Sequence, residues 1–401
     1  MTTNEAPLAG VRVVDLTIWV QGPIAATMLA DLGADVVKVE RTGDGDFSRG
    51  LASLHGVDLH REDAPHLLWA TCNRNKRAIT LDLRREEAAP VFRRLLATAD
   101  VFITNLHPTA LTELGADESS VKAANPAIVY ACGTGLGSAG PRALDPCQDT
   151  VGMAYSGFMF TSSNSPDEPN YPPGALSDVL AGTMLAFGVL AAMRERDRTG
   201  RGQTVTSSQL QALLWLQSLN LAAAANLQET LVPFDRTHPA SPYMSVYRCG
   251  DDRWIALGLV RSDQWSTLLG AIGLDEYRSN LHFTRARDVR KNAAAVIRVL
   301  TARFATASAE HWLDRIRGAG LWVSPVNRAA ELPNDPQTVA NGYLTSLDDG
   351  WQTPGLPFSL DGYQPPTRSA PAYGEHTTEV LEELGYGEAD ILSLKVVDAA
   401  W

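Results

Sequence analysis

Cysteine is scarce in this chain of 401 residues, and the four that occur (Cys72, Cys132, Cys147 and Cys249) stand far apart with no C-x-x-C spacing. That excludes a disulfide scaffold and a cysteine-based zinc site, predicts no metal, and makes reduced thiols in the cytoplasm the expectation. Positive charge is also short: 34 Lys and Arg against 46 Asp and Glu leave a net charge of −12. Such a balance argues against nucleic acid as a partner, yet local basic clusters can still form a cationic cleft for an anionic ligand. The N-terminal MTTNEAPLAG lacks the basic and then apolar regions of a signal peptide. The longest uncharged apolar run, Val179 to Met193, is too short to cross a bilayer, so no membrane association is expected. There is no internal repeat and no low-complexity tract. What is present is apolar content, 45% of residues, which is ample for a buried core in the two or three domains that this length predicts.

The chain opens with an apolar run at 11–16, a helical pattern from Pro23 to Leu32 and a second apolar run at 35–40, the pattern of a βαβ unit. Helical patterns at 86–98 and 119–124 each run into a further strand, at 100–105 and 127–133, so the spacing predicts a doubly wound α/β domain with a parallel sheet. Residues 134–175 are rich in Gly, Ser, Pro and Asn and read as long loops. A strand start at QTVTSS and a long helix follow. Composition shifts after Thr230, where PYMSVYRC, GDDR and WIALGLV predict a hairpin, then helices at 263–272, 288–306 and 309–319 and a strand at LWVSPVN. The expected division is a large α/β domain over 1–229, a small α+β domain over 230–328, and a segment at 329–401 that returns to the large domain and ends in the helix HTTEVLEELGY.

One acid stands alone in the middle of this order. From Pro169 to Met193 the only carboxylate is Asp178, and it opens a helix that runs without proline to Arg196, is apolar around most of its circumference, and ends at Gly200 or Gly202. Ser177 is the expected N-cap. Asp178 can be a first-turn acid that favours the helix dipole. It can equally be a carboxylate nucleophile, held ionised at the positive end of a helix and partly stripped of water.

Residues 135–140, GLGSAG, match the G-x-G-x-x-G pattern after a strand. Pro141 follows at once, no acid ends a second strand about twenty residues later, and the first βα turn, Trp19-Val20-Gln21-Gly22-Pro23, is bulky where a pyrophosphate needs glycine. A dinucleotide site is therefore not expected.

Several motifs in order resemble the class III CoA-transferases of the CaiB/BaiF type, which include the formyl-CoA, carnitine and bile-acid CoA-transferases and are related to the α-methylacyl-CoA racemases. They are L-x-G-V-R-V-x-D-L-T (8–17), Gln21-Gly22-Pro23, L-x-D-L-G-A-D-V-V-K-V-E-R (29–41), N-R-N-K-R-x-I-T-L-D-L (73–83), G-x-G-x-x-G-P (135–141), P-x-G-x-x-x-D-x-x-A-G (172–182) and G-E-H-T-x-E-V-L (374–381). The resemblance covers essentially the whole chain. It implies a Rossmann-like large domain with a smaller α+β domain in an interlocked homodimer.

It also implies roles. Asp178 matches the family nucleophile and Gln21 the glutamine beside the thioester. Gly22, Arg41, Leu81, Leu83, Arg84, Asn105, Leu106, His107, Gln148 and Asp149 fall on positions that contact coenzyme A, with Arg41 and Arg84 suited to its phosphates by charge-assisted hydrogen bonds. Arg74, Lys76 and Arg77 share that basic region and read equally as ligand contacts or a solvated face. Two positions that are basic in many members hold Glu113 and Pro146 here, which implies altered phosphate contacts. No glycine-rich loop occurs near 255–265, so a formyl substrate is not expected. The acyl group is expected to meet the 134–175 loops and Tyr243, Met244 and Tyr247, and Trp19 and Phe158 hint at an apolar acyl pocket.

The implied reaction moves CoA from an acyl-CoA to a carboxylic acid through a mixed anhydride and an aspartyl-CoA thioester on Asp178, with CoA as substrate and no tightly bound cofactor. A racemase is the alternative. Its histidine, which precedes an Asp, reads Gln148-Asp149 here, and glutamine does not exchange protons near neutral pH. The remaining reading is a CoA-binding protein without catalysis.

Overall fold

The structure is a computed structural model that describes residues 5–62, 65–231, 235 and 241–401. Six strands form one parallel sheet: β1 (Arg12–Leu16), β2 (Asp35–Glu40), β3 (Arg77–Thr80), β4 (Val101–Thr104), β5 (Val129–Thr134) and β6 (Thr204–Ser208). Their spatial order is β3-β2-β1-β4-β5-β6, so the chain reverses direction across the sheet between β1 and β4. Ligands of such sheets bind outside the carboxyl ends of the strands at that reversal.

Alternation along the strands builds a core on each face. Val14, Val37, Phe102 and Tyr130 pack under α3 (Ala88–Ala97) and the C-terminal residues Val380, Leu381, Ile391 and Leu394. Val13, Val36, Val101 and Val129 face the other way, against α1 (Gln21–Asp31) and the long helix α7 (Leu176–Thr199). Both faces of the sheet are covered, which is why its strands read as continuous apolar runs. Further helices on this unit are α2 (Leu67–Asn73), α4 (Pro108–Glu113), α5 (Glu118–Ala124), α6 (Asp149–Tyr155) and α8 (Gln209–Leu216).

Contacts divide the chain into two units. One comprises residues 1–158, 171–227 and 342–401 and holds the parallel sheet. The other comprises 159–170 and 228–341 and holds a three-stranded antiparallel sheet of Val246–Arg248, Trp254–Leu257 and Val323–Pro325, covered by helices such as Ser262–Ala271, Ala293–Phe304 and Ala309–Gly318. Tyr243 and Tyr247 are sealed in this second core, their hydroxyls donating to Phe283 O at 2.7 Å and Pro242 O at 2.5 Å. Neither is available as the acyl contact that the sequence suggested.

Other expectations need correction. The helix expected over 288–306 breaks at Asn292, whose side-chain amide donates to Asp288 O and leaves Ala286–Lys291 and Ala293–Phe304 as separate pieces. Helices α2 and Glu388–Val396 have no expected counterpart. At 24 residues α7 has the length and apolarity of a membrane span, but Ala181, Leu185, Ala186 and Val189 are buried in the core against α1 and the sheet. Nor is α7 buried all round: Phe187 is 70% exposed and Val179 40%.

Candidate active site

The first turn of α7 lines a cavity together with Ile18 and Asn105, which follow the two strands at the sheet reversal, β1 and β4. Ala175, in left-handed conformation (φ 54°), turns the chain into the helix, so Ser177 lies inside it and does not cap it. The cap comes from α6: one carboxylate oxygen of Asp149 accepts from Ser177 N (2.8 Å), Ser177 Oγ (2.7 Å) and Asp178 N (3.4 Å). Two of the helix's unpaired amides are thus satisfied by a remote acid.

A tight crossing keeps α7 against α1. A Cβ placed on Gly182 would lie 2.3 Å from Gln21 O, so only glycine at this position lets the two helix starts approach. That explains the D-x-x-A-G spacing: one turn below Asp178, the missing side chain lets Gln21 and Asp178 line the same cavity.

The cavity has a volume of about 580 Å³. Its polar lining includes Gln21, Thr134, Gln148, Asp149, Asp178 and Gln209, and its apolar and aromatic lining includes Ile18, Trp19, Leu51, Leu54, Leu68 and Tyr171. Gln21 is 5% exposed and donates through Nε2 to Thr134 O at 3.0 Å. Thr134 Oγ1 is buried here without a partner. Asn105 clamps the first turn from both sides, accepting from Ile18 N (2.9 Å) and donating to Ile18 O (2.8 Å). Gly22 sits beneath, where a Cβ would meet Thr17 Cγ2 at 2.5 Å. Trp19 holds a left-handed conformation (φ 65°), unusual for a bulky residue, and stacks on Phe47.

Asp178 accepts from Gln209 Nε2 at 2.5 Å and, among the described residues, has no ion-pair partner. Burial pushes its carboxyl up to about 6. The Gln209 hydrogen bond opposes that rise and the neighbouring Asp149 carboxylate adds to it. At neutral pH the group is therefore still mostly ionised but poorly solvated, the state in which a carboxylate is a competent nucleophile.

A second, smaller cavity of about 200 Å³ shares Ile18 with the first and is lined by Arg41, Leu81, Leu83, Arg84, Leu106 and Phe47, among others. Arg41 pairs with Asp44 at 2.7 Å and lies over the Phe47 ring. His107 lines neither cavity; its Nδ1 accepts from Thr109 N and its Nε2 meets Leu144 O at 3.2 Å. Of the two positions that depart from the family pattern, Glu113 is exposed in the helix Pro108–Glu113 and Pro146 precedes Cys147 in the loop before α6.

The basic segment at 74–77 is neither a ligand surface nor a solvated face. Arg74 pairs with Asp31 at 2.6 Å, Lys76 with Asp15 at 2.8 Å, and Arg77 with Asp35, Glu379 and Glu383 at 2.7 to 2.8 Å. Phe158 is not among the residues lining the main cavity.

Sequence reasoning missed His55 and Gln209, and within the 134–175 loops that it expected to meet the acyl group it did not single out Cys147 and Tyr171; all four line the cavity. For Gln209 a signal existed: it is a polar residue opening an apolar helix directly after the carboxyl end of a parallel strand.

Comparison with known proteins agrees with this architecture. The sequence profile described as CoA-transferase family III matches residues 8–377. The chain is 31% identical to the acetyl-CoA:oxalate CoA-transferase of Acetobacter aceti, across 96% of this chain and 97% of that one. It is 28% identical to the (R)-2-hydroxy-4-methylpentanoate CoA-transferase of Clostridioides difficile, across 97% and 98%. Its fold resembles the crystal structure of a CaiB/BaiF family protein from Brucella suis, with a TM-score of 0.83 and 27% identity over 95% of this chain and 100% of that one.

Proposed function

The chain belongs to CoA-transferase family III, and from that premise we propose that it moves coenzyme A from an acyl-CoA to a free carboxylic acid with Asp178 as the covalent nucleophile. The observation that carries this reading is a half-buried carboxylate with no ion-pair partner among the described residues, lining a cavity at the carboxyl ends of the strands. One Asp178 oxygen attacks the thioester carbon, the C–S bond breaks, and a mixed anhydride and CoA thiolate form. The thiolate then attacks the Asp178 carbonyl carbon, releasing the donor's carboxylate and leaving an aspartyl-CoA thioester. The acceptor carboxylate attacks that thioester to give a second anhydride, and the thiolate attacks the acceptor's acyl carbon, yielding the new acyl-CoA and restoring Asp178. Dividing one exchange into covalent stages is what lowers its barrier.

Placement of the substrate follows from the two cavities. The smaller, with Arg41 and Arg84, suits the nucleotide end of CoA, and the larger takes the thioester and its acyl group. Ile18, Trp19, Leu51, Leu54 and Leu68 make walls suited to an aliphatic or aryl acyl group larger than formyl. The active form in this reading is an interlocked homodimer, which would cover Phe187, Trp215 and Leu219, each at least 70% exposed on the single chain.

A racemase finds less support. Gln148 stands where an imidazole would be needed and accepts from Thr150 N in its own helix, while His107 has both ring nitrogens engaged. Incubation of acyl-CoA with the enzyme, followed by hydroxylamine and peptide mass spectrometry, tests the transferase mechanism. It should place a hydroxamate on Asp178, and Asp178→Ala should abolish both the label and CoA exchange. Exchange at the normal rate by Asp178→Ala would end the proposal.

A further inference from the structure

Gln209 is 3% exposed and is held at both ends. Its Nε2 donates to Asp178 Oδ1, and its Oε1 accepts from the Cys147 thiol at 3.1 Å. A Cβ on Gly152 would lie 2.8 Å from that same Oε1, so the amide plane is also confined from the side of α6. No other side chain among the described residues donates to the Asp178 carboxylate.

We propose that Gln209 sorts the two oxygens of the nucleophile, reserving Oδ2 for attack on the thioester and serving as the hydrogen-bond donor to Oδ1 when the acylated Asp178 is itself attacked. This rests on the covalent role of Asp178 argued above. In the anhydride, Oδ2 carries the donor's acyl group and Oδ1 is the carbonyl oxygen. When the CoA thiolate adds to Cγ, the electron pair of the C=O bond moves onto Oδ1, which already lies against the Gln209 N–H. Collapse of the tetrahedral species returns that pair to the carbonyl and breaks the Cγ–Oδ2 bond, so Oδ2 departs with the donor's carboxylate. A donor aimed where negative charge develops, inside a site poor in water, contributes more than the same bond in solution.

Cys147 keeps the amide the right way round. A thiol can give its hydrogen only to the oxygen end of the amide, which turns the amino end toward Asp178. Burial, with Asp178 and Asp149 adding to it and a backbone hydrogen bond at Gln148 opposing it, pushes the Cys147 thiol up to about 11, so it remains a protonated donor and no rival nucleophile; Gln209 Oε1 at 3.1 Å is a nearer acceptor for it than Gln148 O at 3.7 Å.

Gln209→Leu removes the donor and keeps the bulk. Its kcat should fall by about 10² to 10³-fold with KM for the acyl-CoA little changed. The acid limb of its pH profile should move to higher pH, because the lost hydrogen bond favours the ionised carboxylate. In a rapid quench with acyl-labelled CoA and no acceptor, acyl label should persist on Asp178 longer than in the wild type. Cys147→Ala should show the same limb shift in smaller measure, and Cys147→Ser should restore it; this pair serves if Gln209→Leu does not fold. An unmoved acid limb with wild-type kcat in Gln209→Leu, while Asp178→Ala is inactive, would overturn the role of Gln209 alone. Activity in Asp178→Ala would overturn the mechanism beneath it.

Discussion

Two groups of buried charges lie within one unit, and they are treated in opposite ways. Beneath the β1–α1 turn, Lys38 and Lys76 are within 3% of complete burial, and each cation has an acid: Lys38 meets Asp46 at 3.0 Å and Asp15 at 3.9 Å, Lys76 meets Asp15 at 2.8 Å, Arg74 meets Asp31, and Arg49 meets Glu40 at 2.7 Å. Lys76 also donates to Pro23 O and Asn73 Oδ1, and Lys38 to Thr17 O, so the network ties down the turn that carries Gln21. At the start of α7, Asp178 and Asp149 are neighbours, and among the described residues neither has an ion-pair partner. In the first group each charge is matched by an opposite one; in the second the acids have hydrogen-bond donors but no cation among the described residues, which is the state that the proposed chemistry of Asp178 calls for.

Asp178→Asn breaks this contrast most severely. Transfer should fall by at least about 10⁴-fold in kcat, the scale of removing a covalent nucleophile. Stability should change in the opposite direction, because the variant no longer holds an ionised carboxylate out of water. The rise in pKa from 3.8 to about 6 corresponds to a cost on the order of 2 to 3 kcal/mol at neutral pH. Chemical denaturation should therefore show the inactive variant to be the more stable, and a loss of stability would mean that Asp178 is chiefly structural.

Lys76→Met tests the matched side. Removing one partner leaves Asp15 buried, with Lys38 3.9 Å away as its nearest cation, and should cost about 3 to 5 kcal/mol, read as a lower urea midpoint. If the variant were as stable as the wild type, the network would not be what secures the turn.

The two regions also differed in how far the sequence disclosed them. Asp178 was legible because a lone acid in an apolar run is conspicuous, and the alternation of apolar strands and helices told the sheet and its coverings. Arg74, Lys76 and Arg77 looked like a surface because basic residues in a row usually are; their acids come from 15, 31, 35, 379 and 383, a distance along the chain that local pattern cannot bridge. Ser177 failed as a cap for the same reason, since the capping carboxylate arrives from Asp149. Gln209, thirty-one positions beyond Asp178, meets it only because β6 returns to the sheet beside β5.

Acidification sharpens the contrast in a gentler way. Between 3.8 and about 6 the folded protein holds a proton on Asp178 that the unfolded chain has lost, so lowering the pH from 7 to 5 adds stability from this group, on the order of 1 kcal/mol. If the Asp178 carboxylate is the nucleophile proposed above, kcat/KM should fall about tenfold over the same interval as it is neutralised. Three members of the network, Lys38, Asp46 and Lys76, should be silent there. Burial works to lower the Lys38 pKa, but Asp15, Asp46 and Glu40 outweigh it and raise the value, so that its stabilising contribution is lost only in strong alkali. Burial opposes the depression of Asp46 as well, yet Lys38 and Ser48 hold its pKa below 3.8, and what it contributes is lost only as pH drops beneath that range. Burial lowers Lys76 to about 8, so its cost is present throughout the acid range and is relieved only above 8. The stability difference between wild type and Asp178→Asn, measured at pH 7 and again at pH 5, should therefore shrink on acidification while the activity of the wild type declines. A constant difference across that interval would place the titration of the active enzyme on some group other than Asp178.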